Sequence, residues 1–144
     1  MSETYAAAPA ATVSEGVRSR RSEITVKVLT VLLALFLGLA SGLPKLFRAE
    51  AATEAFDKIG WGDWFMYAVG SLEVLGAVAL LIPILSGAAA LAFIGLMAGA
   101  TVFNLTVLDA PEAVITTTLL AAVLAYIARS RRAHTAQLLR RLRP

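Results

Sequence analysis

The sequence contains no cysteine and a single histidine, His134. Without a thiolate there is no disulfide, no thiol relay and no iron–sulfur ligation. The one imidazole lies in a basic C-terminal stretch, so no haem inside the apolar segments can have histidine ligands. A phosphate-cradling glycine loop is missing, as is any nucleophile–base set. These absences leave no candidate catalytic residue, no candidate metal ligand and no intrinsic cofactor. Charge is also scarce: Asp, Glu, Lys and Arg make up 16% of the chain against 58% hydrophobic residues. Soluble domains are about half apolar at most, so a second, water-soluble domain has no place in this chain.

What is present is apolar sequence in long runs. Mean hydropathy is +0.75, and the apolar residues cluster in stretches of about 20, the length that crosses a bilayer as a helix. Four spans are expected, at residues 24–43, 64–83, 87–108 and 113–128. Irregular backbone cannot face lipid, so each must be helical. The fold expected is an all-α, integral membrane four-helix bundle over residues 23–130. Residues 1–22 read as a disordered basic tail, since the first 17 are rich in Ala, Ser and Thr without periodicity. Residues 131–144 read as a basic tail in which Leu138, Leu139 and Leu142 alternate with Arg140, Arg141 and Arg143, suiting a helix on the membrane surface. Ser19-Arg20-Arg21 ahead of an apolar run has the outline of a twin-arginine export signal. However, Glu23 stands where such signals are apolar and three more spans follow, so the segment reads as a retained span.

Basic residues orient the bundle. Ten of the thirteen Lys and Arg residues lie before or in the first turn of span one, or after span four: Arg18, Arg20, Arg21 and Lys27 at one end, and Arg129, Arg131, Arg132, Arg140, Arg141 and Arg143 at the other. Only Lys45, Arg48 and Lys58 lie in the first interspan loop, among four acids. Both termini are therefore expected in the cytoplasm. The basic balance is a topology and headgroup signal and implies no nucleic-acid partner. In the outer loop between spans one and two, Ala51, Ala52, Ala55, Phe56 and Ile59 share one helical face, with Gly60 as a stop. The expectation is a short amphipathic helix lying on the outer surface; the alternative is a lid over a site beneath it. Trp61, Trp64 and Tyr67 follow as a headgroup-level aromatic belt.

Glu73 is the exception inside the spans, in the stretch Gly70-Ser-Leu-Glu-Val-Leu-Gly76. Val69, Gly70, Gly76 and Ala77 lie three and four positions away, so the acid shares its face with both glycines and points into the bundle. Nine residues below Trp64, at about 1.5 Å each, it sits roughly 14 Å deep. An acid there costs on the order of 3 kcal/mol unless paired or protonated. Lys45 is the one basic residue within reach, although depth counting leaves about 10 Å between the two backbones. Glu73 and Lys45 are the candidate ligand-binding residues or intramembrane ion pair. Ser41, Tyr67, Thr101 and Asn104 fall in the outer halves of their spans and form a candidate polar pocket around them, open outward and sealed inward. Small-residue stripes (Ala34, Gly38 and Gly42 in span one; Gly95 and Gly99 in span three) suit close helix packing.

Phe36-x-x-x-x-Ser41-Gly42-x-x-Lys45-Leu46, then Gly70-x-x-Glu73-x-x-Gly76 and Pro83, together with the linker A-A-T-E-A-F-D-K-I-G and Gly99-Ala100, resemble the DoxX or DoxX-like group of bacterial four-helix membrane proteins. The resemblance covers roughly residues 28–128. It implies that Lys45 and Glu73 are the family's paired intramembrane charges; where many relatives carry a histidine near the end of span three, this chain has Asn104. Some relatives are similar to the small subunit of thiosulfate:quinone oxidoreductases, and others join membrane-associated oxidoreductase assemblies. The resemblance implies a non-catalytic subunit or anchor of a membrane redox assembly near the quinone pool, in the bacterial cytoplasmic (inner) membrane, with a protein partner or a homo-oligomer. The alternative is a binder or transporter of a small hydrophobic or quinone-like molecule, with quinone or lipid as the bound group, in the pocket around Glu73 and Lys45.

Overall fold

A computed structural model describes residues 11–133, 136, 139 and 140, with side chains from Arg20 onward. The described residues are helical with short joints and contain no strand. Helix α1 (Ala11–Leu35) passes into a π-helical segment (Phe36–Gly42) and then α2 (Leu43–Leu46); α3 (Glu50–Ile59), α4 (Asp63–Leu81), α5 (Pro83–Thr106) and α6 (Pro111–Ser130) follow. Four stretches are long and apolar enough to cross a membrane: Arg20–Leu46, Asp63–Leu81, Pro83–Thr106 and Pro111–Ser130. Large apolar side chains such as Leu32, Leu72, Leu75, Leu91, Ile115 and Leu119 are exposed on their outer faces, as a lipid-facing surface requires. Helix α1 starts at Ala11, inside the stretch expected as a tail. Residues 1–10 of that tail, and most of the expected C-terminal surface helix, including Leu138, Arg141, Leu142 and Arg143, lie outside the described residues.

Two helix boundaries differ from the sequence expectation, each because of a proline. Span one was expected to stop at Leu43 before Pro44, yet the helical path continues to Leu46. In a regular α-helix the Pro44 ring would clash with the carbonyl four residues back, and its missing N–H would leave a gap in the ladder. The chain widens into a π segment just ahead of it, with the Leu43 N–H reaching Gly38 O, the insertion by which helices absorb such a defect. Lys45 thus sits within the helix, one turn beyond Ser41. At the second proline the joint implied at residues 84–86, between a span expected to end at 83 and one expected to start at 87, is absent. Ile82, held extended (φ −84°, ψ 115°) by the following Pro83, is the entire link between α4 and α5. Pro83 opens α5 at a position where its missing N–H is not needed.

Packing differs between the two ends of the bundle. Leu33 and Leu37 from the first span, Ala77 and Leu80 from α4, Ala90 and Phe93 from α5, and Leu124 and Ile127 from α6 form one buried cluster. These positions lie toward the end where α4 turns into α5. The opposite end, where α3 joins α2 to α4, is hollow.

Candidate functional site

The hollow end is a cavity of about 540 Å³ bordered by all of the spans and by α3. Its walls are mainly apolar: Phe36 and Leu37, Phe65, Val69 and Leu72, Leu96, Met97 and Ala100, and Leu120. Ser41, Lys45, Glu73, Asn104, Thr116 and Thr117 supply the polar groups.

Glu73 is 4% exposed, and its two carboxylate oxygens have different partners. Lys45 Nζ donates to Oε2 at 2.8 Å and Ser41 Oγ donates to Oε1 at 3.1 Å. Lys45 Nζ also donates to Ser41 Oγ and to the Ser41 carbonyl, both at 2.9 Å. An ammonium has three protons, and each has an acceptor here. The acid and the base therefore form a closed unit with Ser41, in which the charges are both paired and hydrogen-bonded, as burial demands.

The spacing that sequence counting left between the two backbones is removed by glycine. A Cβ on Gly70 would stand 2.9 Å from Lys45 Cβ and 3.0 Å from the Gly42 carbonyl oxygen, and a Cβ on Gly42 would stand 3.1 Å from Glu73 Cβ. The two helices touch backbone to backbone at these positions, which brings Lys45 to within one turn of Glu73. Gly76 leaves room for the Phe93 ring on the other side of the acid. Gly95 and Gly99 behave differently: a Cβ on either would meet nothing within 4 Å. Gly95 and Gly99 therefore do not serve packing within the chain and border the cavity instead.

Of the residues expected around the pair, Ser41 and Asn104 line the cavity. Thr101 stands behind the wall, its Oγ1 2.8 Å from Thr117 Oγ1 across the α5–α6 contact and 2.8 Å from the Met97 carbonyl that accepts from it. Tyr67 does not belong to this group, being exposed on α4 and away from the cavity. It follows Met66, which is fully buried, and one residue turns the helix by about 100°. Asn104 is 9% exposed. Its backbone oxygen accepts from Ala110 N, but its carboxamide has no hydrogen-bond partner among the described residues.

The apolar face of α3 closes one side. Ala55, Phe56 and Ile59 line the cavity, whereas Ala51, which was expected on the same face, is exposed. Phe56 meets Phe65 at 5.6 Å between ring centroids, and Trp61 packs on Phe65 at 4.7 Å and on Phe103 at 5.4 Å. Trp61, expected in a headgroup belt, thus joins an aromatic cluster over the site. Phe65 and Phe103 carried no sequence signal that separates them from lipid-facing phenylalanines. Arg48 and Asp63, read from sequence only as loop charges, form an ion pair at 2.8 Å that ties the two ends of the α3 loop together.

A multi-pass helical membrane protein with a Lys–Ser–Glu unit, its acid buried, beside a mainly apolar cavity is the class this geometry defines. The model of the DoxX-like family matches residues 28–127, from the first span almost to the end of the fourth, and the chain belongs to that family. Comparison with curated proteins and with solved structures finds no match.

Proposed function

We propose that the chain binds a small amphiphilic molecule, quinone- or lipid-like, with its apolar body between the spans and its polar end near Asn104 and the Lys45–Glu73 pair. The observation that carries this reading is the 540 Å³ cavity itself: mainly apolar walls with a few convergent polar groups are what ligand sites present. The ion pair is satisfied by Ser41, so its role is to hold the cavity's rim in shape, and the molecule needs no charge to complete it. The fourfold crossing runs with both termini in the cytoplasm of a bacterial inner membrane and the cavity toward the outer face, on the strength of the basic residues at the chain's ends. To test the binding role, the purified protein is extracted with organic solvent and its lipids compared with those of the surrounding membrane. One enriched apolar molecule is expected, near one per chain, and it should be lost in Ala100→Trp, which fills the cavity. No enrichment over bulk membrane would refute the binding role.

A second reading is a non-catalytic subunit or anchor of a membrane redox assembly. It is supported by the open face at Gly95 and Gly99, where another helix could approach closely. Gly95→Leu with Gly99→Leu should then release a co-purifying protein while the monomer stays folded.

A further inference from the structure

We infer that the cavity selects ligands with a neutral polar end, a carbonyl, hydroxyl or amide, over carboxylates and ammonium compounds, and that Asn104 makes the selecting contact. The inference rests on the binding role proposed above and specifies its chemistry.

Two observations lead to it. The first is that the site's charges are spent. Among the described residues Lys45 is the only cation on the cavity wall, and its three donors go to Glu73 Oε2, Ser41 Oγ and Ser41 O. An incoming carboxylate would have to take Lys45 from Glu73, leaving one of two acids uncompensated in an apolar cavity. An incoming ammonium would have to take Glu73 from Lys45, with the opposite charge left over. Either exchange is strongly unfavourable where water is scarce. The second observation is that one polar group is unspent. Asn104 borders the cavity, is 9% exposed and has a carboxamide with no hydrogen-bond partner among the described residues. Buried polar groups are normally partnered, and this one lies where a ligand would supply the partner. A carboxamide both donates and accepts, so it can meet a carbonyl through its NH₂ or a hydroxyl through either atom, with no charge required.

The test uses twelve-carbon chains that differ only at the head: dodecanol, dodecanamide, laurate and dodecylammonium, with decyl-benzoquinone as a ring-bearing neutral probe. Binding to the full chain in nanodiscs is measured against empty nanodiscs at neutral pH, so that partition into lipid cancels. The neutral probes should bind at least tenfold more tightly than laurate and dodecylammonium. Tighter binding of decyl-benzoquinone than of dodecanol identifies a quinone-type ligand, and the reverse order a single-chain lipid; both support the inference. Asn104→Leu should weaken the neutral probes about tenfold, the worth of one hydrogen bond to an otherwise orphaned amide, and Asn104→Gln should recover part of it. If laurate or dodecylammonium binds as tightly as the neutral chains, the inference is wrong although the cavity still binds ligands. If Asn104→Leu folds and keeps full affinity, Asn104 is not the contact. If no probe binds and no lipid co-purifies, the binding role fails with it. The head-group comparison on the unaltered chain stands even where Asn104 variants do not fold.

Discussion

Two buried residues in this protein invite opposite predictions. Glu73 is fully partnered, and removing either end of a buried pair leaves a bare charge that costs about 3–5 kcal/mol. Glu73→Ala should therefore lose most of the folded fraction in detergent, followed by thermal unfolding. Replacing the pair together, as Lys45→Met with Glu73→Leu, should return much of the lost stability, because an apolar pair of similar size carries no desolvation cost. If the double variant is no better than the single one, the pair has a role in folding that charge neutralisation does not explain. Ser86 is the reverse case. It is 1% exposed and its Oγ has no hydrogen-bond partner among the described residues. Deleting an unsatisfied hydroxyl removes a penalty, so Ser86→Ala should be neutral or stabilise by about 1 kcal/mol in the same unfolding assay. A loss of more than that would reveal a partner, such as an ordered water.

The elements themselves were readable from sequence wherever one helix decides its own form. The apolar runs located the four spans, and Ala52, Ala55, Phe56 and Ile59, though not the exposed Ala51, marked the covered face of α3 together with its stop at Gly60. Lys45 and Glu73 could be named as a candidate pair, but the fit that lets them meet depends on two helices at once. Counting rise per residue treats each span as an isolated rod, and so left Lys45 and Glu73 about 10 Å apart. The contact of Gly70 with Gly42 and Lys45 sets the lateral and vertical offset between those rods, and no property of either segment alone reveals it. The polar cluster was legible for Ser41 and Asn104 but not for Tyr67, whose side of α4 is set by packing at Met66. The π segment was equally hidden, because Pro44 reads as a stop unless the preceding turn can widen. The end of α3 offers an independent check on what holds that helix in place. Gly60 closes that helix at φ +75°, a conformation a β-carbon disfavours, and a Cβ there would meet nothing within 4 Å. Gly60→Ala therefore acts through backbone strain alone and should cost about 1 kcal/mol. Hydrogen exchange should accelerate in residues 50–59 and leave α4–α6 unchanged. An unaltered α3 would mean that contacts through Phe56 hold the helix without its cap.

At the scale of the molecule, the difference between the two ends of the bundle makes orientation a functional matter. The close-packed cluster of Leu37, Leu80, Phe93 and Ile127 fills the end near the α4–α5 turn, so a bound molecule is expected to enter from the α3 end or sideways past Gly95 and Gly99. If the ten basic residues at the start of span one and after the end of span four govern insertion, the α3 end faces away from the cytoplasm, and the site exchanges with the outer leaflet or the outer aqueous face. The absence of cysteine allows a direct test, because any introduced thiol is the only one. Glu54 is exposed on α3 and Ser130 is exposed at the end of α6. In intact cells a membrane-impermeant maleimide should label the Glu54→Cys variant, and should reach the Ser130→Cys variant only after the membrane is permeabilised. The opposite pattern would place the cavity on the cytoplasmic side, where it would draw ligands from the inner leaflet. Labelling of both variants in intact cells would mean that the chain inserts in two orientations, as a bundle does when its basic residues fail to bias it, and a single-sided function would then be untenable.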